Sequence, residues 1–128
     1  VSIQCKISRD HFCGGSIIKP DIVVTAAHCL DGHVYVLLVV QAGILDLKNP
    51  PIYSQLRDVQ KMTLHELYSP LEEDNDIALL KLEVPFHFNE SDGHIGAICL
   101  PPKDRPLAGD VEVTGWGDTE IGNGGLSF

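Results

Sequence analysis

The amino-acid sequence predicts an all-β chain, arranged as an antiparallel barrel or sandwich. Three observations carry that prediction. Short apolar, β-branched runs recur along the 128 residues. Clusters of Gly, Pro, Asn and Asp punctuate them. Almost no stretch repeats its apolar residues at the 3.6-residue period of a helix.

Taken in order, Val1 to Ile7 is expected as the first strand, with Ser8-Arg9-Asp10 as a polar turn. His11 to Ile18 is expected as a second strand. Its Gly14-Gly15 pair weakens an ordinary strand but permits a bulge or a close backbone approach. Lys19-Pro20-Asp21 turns the chain into a third strand, Ile22 to Thr25. Ala26 to Leu30 reads as one short helical turn, ended by Asp31-Gly32. Val34 to Ala42 is apolar and β-branched, and Gly43 closes it. Lys48-Asn49-Pro50-Pro51 is a surface loop. Gln55 to Leu64 alternates as another strand, and His65 to Asn75 is polar, with Pro70 and the acidic run Glu72-Glu73-Asp74. Ile77 to Leu82 is a buried strand stopped by Pro85. A long loop over Phe86 to Gly96 leads to Ala97-Ile98-Cys99-Leu100-Pro101-Pro102. Val111 to Thr114 is the last expected strand, broken by Gly115-Trp116-Gly117. No repeat, low-complexity tract or linker divides the chain, so a single domain over residues 1–128 is expected.

Composition narrows the function classes. Hydrophobic residues make up 44%, enough for a globular core. Nine basic against 18 acidic residues give a net charge of −9, without the basic footprint that a nucleic-acid partner needs. The longest apolar run, Val34 to Val40, is too short to span a membrane as a helix. The chain does not begin with Met, and it stops in the Gly-rich stretch Asn123 to Phe128. A processed product or a fragment is therefore expected.

The chemistry concentrates in Thr25-Ala26-Ala27-His28-Cys29 and Asn75-Asp76-Ile77-Ala78-Leu79-Leu80. A histidine that acts as a base needs a carboxylate on its far nitrogen, to fix the tautomer and stabilise the imidazolium. His28 and Asp76 are the candidates for those roles. Taken alone, a histidine after two alanines is more often structural than catalytic. The four cysteines, Cys5, Cys13, Cys29 and Cys99, form no C-x-x-C pair, which favours disulfides in an oxidising compartment. A zinc site built from His11, Cys13, His28 and Cys29 is disfavoured, because ligands on adjacent residues depart from the usual spacing.

Five motifs, in order and at compatible spacing, then bear on identity. They are Phe12-Cys13-Gly14-Gly15-Ser16-Ile17-Ile18, Val24-Thr25-Ala26-Ala27-His28-Cys29, Asp74-Asn75-Asp76-Ile77-Ala78-Leu79-Leu80-Lys81-Leu82, Cys99-Leu100-Pro101 and Val113-Thr114-Gly115-Trp116-Gly117. Together they resemble the chymotrypsin/trypsin-like serine endopeptidases. The resemblance implies an antiparallel six-stranded Greek-key barrel, the N-terminal barrel of a double-barrel protease. It implies His28 as general base, Asp76 as the carboxylate that orients it, and a Cys13–Cys29 disulfide bracing the histidine turn. A polypeptide substrate, a C-terminal barrel outside this chain and protein protease inhibitors are the implied partners. No cofactor or metal is implied. Calcium, held by carboxylates in some relatives, is not expected where Gly43 to Pro51 offers one carboxylate and a lysine. Cys99 resembles a cysteine that ties some members to an upstream segment. A Cys5–Cys99 bridge and pairing of either with chain outside this window both stay open.

Two departures from the family pattern shape the functional expectation. Val1 does not match the family's activated terminus. The nucleophile's Gly-Asp-Ser-Gly-Gly stretch is absent, and Ser127 in Gly124-Gly125-Leu126-Ser127-Phe128 lacks its surroundings. The expectation is part of a secreted, extracellular protease, inactive as this chain alone. The alternative is a truncated non-catalytic relative acting as a binding module, for which erosion of His28 or Asp76 is the expected mark. The remaining histidines (His11, His33, His65, His87, His94) and the acidic run are expected as solvated surface.

Overall fold

A computed structural model describes residues 1–71, 74–106 and 108–117. Contacts within the chain group into two units, Val1–Ile98 and Cys99–Phe128. The first holds every strand among the described residues: β1 (Ser2–Cys5), β2 (His11–Gly14), β3 (Ser16–Lys19), β4 (Ile22–Thr25), β5 (Leu38–Ala42), β6 (Gln55–Leu64) and β7 (Ala78–Leu82). Two short 3-10 turns, Tyr35–Leu37 and Phe88–Glu90, are the only helical pieces among the described residues. All pairings are antiparallel, in the order β2-β1-β5-β6-β7-β4-β3. The sheet is a nearly closed barrel.

The count of seven strands against six expected has one cause, at Gly15. The run expected as a single strand over His11 to Ile18 is divided there into β2 and β3, which sit at opposite ends of the sheet order. Backbone comes too close at that point for any side chain. A Cβ on Gly15 would lie 2.8 Å from Val23 Cγ1 and 2.9 Å from the Val24 carbonyl oxygen. The strand bends where only glycine fits, and its two halves close the barrel.

Alternation then fills the interior. Ile3, Val23, Val40 and Leu80 are fully buried, and Leu38, Ala42, Val59, Ala78 and Leu82 lie with them in the core. Val23 stands opposite Leu80, and Val59 opposite Leu82. The pleat sends the intervening Leu79 outward, 40% exposed. Burial continues on the far face of β1 and β5, where polar side chains lie beside Val39. Ser2, Gln4 and Gln41 are buried there, and each is hydrogen-bonded. Gln4 Nε2 donates to Ser2 Oγ and to Gln41 Oε1, each at 3.0 Å. Arg9 donates back to Gln4 Oε1 at 3.1 Å. Every buried polar group in this cluster has a partner, as burial away from water requires.

Three other expectations are corrected. Val34 to Leu37 is not strand: the stretch passes through the 3-10 turn Tyr35–Leu37 with all four side chains exposed, and pairing starts only at Leu38. Its apolar composition favours a strand, but the backbone winds into the 3-10 turn instead, where the Leu37 N–H donates to the Val34 carbonyl at 2.9 Å. Val111 to Thr114 carries no strand either; Val111 and Val113 are 88% and 85% exposed. β-Branched residues form a strand only where a partner ladder receives them. His11 is half-buried rather than solvated, with Nδ1 2.8 Å from Ser2 Oγ, and burial pushes its imidazole below the usual range. Glu72, Glu73 and Ser127 lie outside the described residues. No helix among the described residues is long and apolar enough to cross a membrane.

Candidate active site

The site grows from the end of β4. Thr25, the last residue of that strand, donates its hydroxyl to the Gly14 carbonyl at 2.8 Å. The chain then turns on two alanines. Ala27 is completely buried, and its carbonyl accepts from the N–H groups of Leu30 (2.9 Å) and Asp31 (3.0 Å). Leu30 is fully buried beneath the turn. Cys29 is joined to Cys13 of β2 by a disulfide across a sequence separation of 16. The His33 ring stacks on Phe12 at 5.0 Å between centroids. A buried leucine, a disulfide and a stacked ring thus hold one short turn. His28 projects from it with its side chain 64% exposed.

Asp76 reaches His28 through strand register. Thr25 pairs with Ala78, so continuing the antiparallel ladder two residues places Asp76 opposite Ala27. The loop before it is closed on itself: His65 N–H donates to the Ile77 carbonyl at 3.0 Å, and Ser69 N–H to the Asp74 carbonyl at 3.1 Å. Asn75 takes a left-handed conformation, φ 55°, and its amide donates to the Leu67 carbonyl at 3.1 Å. Asparagine tolerates that conformation better than most side chains. Sequence reasoning assigned Asn75 no role, although an Asn before a motif aspartate was the available signal.

Both oxygens of Asp76 meet His28. Oδ1 accepts from the His28 backbone N–H at 2.8 Å, and Oδ2 lies 2.6 Å from Nδ1 of the ring. An acceptor-only carboxylate there holds the proton on Nδ1 and leaves Nε2 with its lone pair free. The ring hydrogen bond from His28 is the first cause that holds the Asp76 carboxyl below its usual range. The His28 backbone N–H adds to it, and partial burial opposes it. The carboxylate is 27% exposed, so it is part-solvated rather than sealed. Nε2 stands 3.7 Å from Cys29 Sγ.

The Trypsin family model matches residues 1–127 of this chain. The chain belongs to the trypsin family. Curated relatives agree: the sequence is 37% identical over 120 residues to hypodermin-A of Hypoderma lineatum, covering 92% of this chain and 44% of that protein. It is 39% identical over 115 residues to trypsin-1 of Astacus astacus, covering 88% and 47%. Among solved structures, human heparin binding protein superposes with a TM-score of 0.73 at 27% identity, over 84% of this chain and 45% of that one. The trypsin-family chain therefore spans somewhat under half the length of the curated relatives it matches.

The other sequence candidates fall into place around that frame. The Asp46 carboxylate, the one acidic group in the loop weighed for calcium, accepts from Lys48 N–H at 2.8 Å and Asn49 Nδ2 at 2.7 Å. His87 lies 3.1 Å from Glu90, and His94 stacks on Tyr53 at 3.9 Å. Cys5 and Cys99 are both free thiols.

Proposed function

We propose that this chain is the first barrel, with the start of the inter-barrel segment, of a secreted trypsin-like serine endopeptidase. In this reading His28 is the general base and Asp76 the carboxylate that orients it. The observation that carries the reading is the two-point clasp of Asp76 on both the backbone and the ring of His28. One hydrogen bond would place the ring; two fix its tautomer and its orientation together.

The chemistry follows from the free Nε2. It takes the proton of a serine hydroxyl supplied by a second barrel, outside these 128 residues, as that oxygen attacks a peptide carbonyl. It then returns the proton to the leaving amine and activates the water that releases the acyl group. Asp76 stabilises the imidazolium that forms in each half-reaction. Side-chain preference and the oxyanion hole belong to that second barrel. Ile77 and Leu79, 46% and 40% exposed beside the clasp, offer it an apolar seat.

A non-catalytic binding role is the weaker reading, since a binding module has no use for a clasped base. The similarity to human heparin binding protein does not strengthen it, because a chain with net charge −9 offers a polyanion no basic footprint.

The deciding experiment expresses the longest product encoded by the transcript and assays it on fluorogenic peptides, beside residues 1–128 alone. Activity is expected only in the longer product. Asp76→Asn is expected to lower kcat by about 10⁴-fold, because the wrong tautomer is then favoured. Unchanged turnover in His28→Ala would sink the assignment. So would hydrolysis by residues 1–128 alone that an active-site serine reagent blocks.

A further inference from the structure

The disulfide and the histidine ring meet in a way that the hydrolytic reading does not use. Cys13, His28 and Cys29 each offer a ligand atom, and the three atoms lie within 4.8 Å of one another. Cys29 Sγ and His28 Nε2 are 3.7 Å apart. Tetrahedral zinc, with bonds of about 2.3 Å to sulfur and about 2.0 Å to nitrogen, sets such ligands about 3.5 Å apart. Adjacency in sequence argues against this pair, but the turn brings both atoms to one side. The Nδ1 proton of His28 is held by Asp76, which is the carboxylate–histidine arrangement that orients metal-bound imidazoles. Only the sulfurs are wrong: in a disulfide they are not thiolates, and the thiolate is the ligand.

We propose that reduction of the Cys13–Cys29 disulfide converts this corner into a site for a zinc-class divalent cation. Cys13 Sγ, Cys29 Sγ and His28 Nε2 supply three ligands, and the exposed His28 face leaves the fourth position to water. The reductant is a dithiol. Its thiolate attacks one protein sulfur, breaking the S–S bond and forming a mixed disulfide. Its second thiol then displaces that protein sulfur, so the dithiol leaves as a disulfide and the protein gains two electrons and two protons. Both protons depart when the cation binds. Metal on Nε2 occupies the lone pair that a base would use, so the reduced, loaded state is blocked for proton transfer.

The test uses the 128-residue chain carrying Cys5→Ser and Cys99→Ser, which leaves two thiols after reduction and anaerobic removal of the dithiol. Co²⁺ is the probe, read by its thiolate-to-metal charge-transfer band, with Zn²⁺ as competitor. The reduced chain is expected to develop the band and lose it to Zn²⁺, while the oxidised chain shows none. Asp76→Asn is expected to weaken binding by about 10- to 100-fold with the band itself unchanged at saturation. His28→Ala is expected to weaken binding by at least about tenfold. Three results each overturn the proposal: no band on reduction, equal affinity in His28→Ala, or loss of the β-sheet circular dichroism in the reduced, zinc-loaded chain.

Discussion

Asp76 gives both of its oxygens to one neighbour, and that fixes how it responds to acid. Its folded pKa lies below the ordinary 3.8, so the ionised carboxylate is favoured in the folded state. The stabilisation is complete above that ordinary value and is lost as the pH falls through the folded one. Thermal melts of wild type and Asp76→Asn should therefore differ by a constant amount at neutral and mildly acidic pH. The two curves should converge below 3.8; a difference that grows with acid would contradict the assignment. The residues of this pair were legible in the sequence because each sits in a long motif. Asn75 was not singled out, since a positive φ is a backbone fact that composition only hints at. His11 was misjudged for a related reason: burial on the outer face of β1 and β5 depends on neighbours distant in sequence.

At the level of elements, two joints carry the barrel. Gly15 is one. Gly15→Ala puts a methyl group against the Val24 carbonyl and Val23, with contacts under 3 Å, and should cost about 1–3 kcal/mol in urea unfolding. A neutral result would mean that the backbone there yields freely. The second joint is Cys13–Cys29, which ties β2 to the histidine turn. Replacing both cysteines by serine should cost about 3 kcal/mol on the loop-entropy account, and should loosen the His28 ring more than the strands. Exchange of the β5 amides would then stay slow while His28 line widths broaden. Strands Ile22–Thr25 and Gln55–Leu64 were legible to the residue, because alternation and turn signals agree at both ends. Val34 to Leu37 and Val111 to Thr114 were not. Propensity states what a segment tolerates, whereas pairing depends on the backbone conformation that the segment settles into among its neighbours.

On the scale of the whole molecule, the barrel depends on contacts between distant parts of the chain. Leu80, fully buried on β7, faces Val23 across β4. Leu80→Ala should lower stability by about 2–5 kcal/mol, measured by denaturant midpoint, and a loss under 1 kcal/mol would mean the interior refills. Residues 1–128 alone, with Ile77 and Leu79 open to solvent, should self-associate on sizing at high concentration. A clean monomer would count against an apolar seat there. The barrel class was legible because every strand signal is local. Its closure was legible through the family resemblance rather than through the strand pattern, since a strand shared between the two ends of a sheet leaves no local mark except a glycine. The pairing of β4 with β7 also sets an order of events during synthesis. Ile22 leaves the ribosome long before Lys81, its ladder partner. At about 5–20 residues per second, β4 waits several seconds with one edge bare. His28 waits almost as long for Asp76, 48 residues downstream. The nascent chain carries an unfinished sheet edge through that interval, and any factor that shields extended segments would act on this protein then.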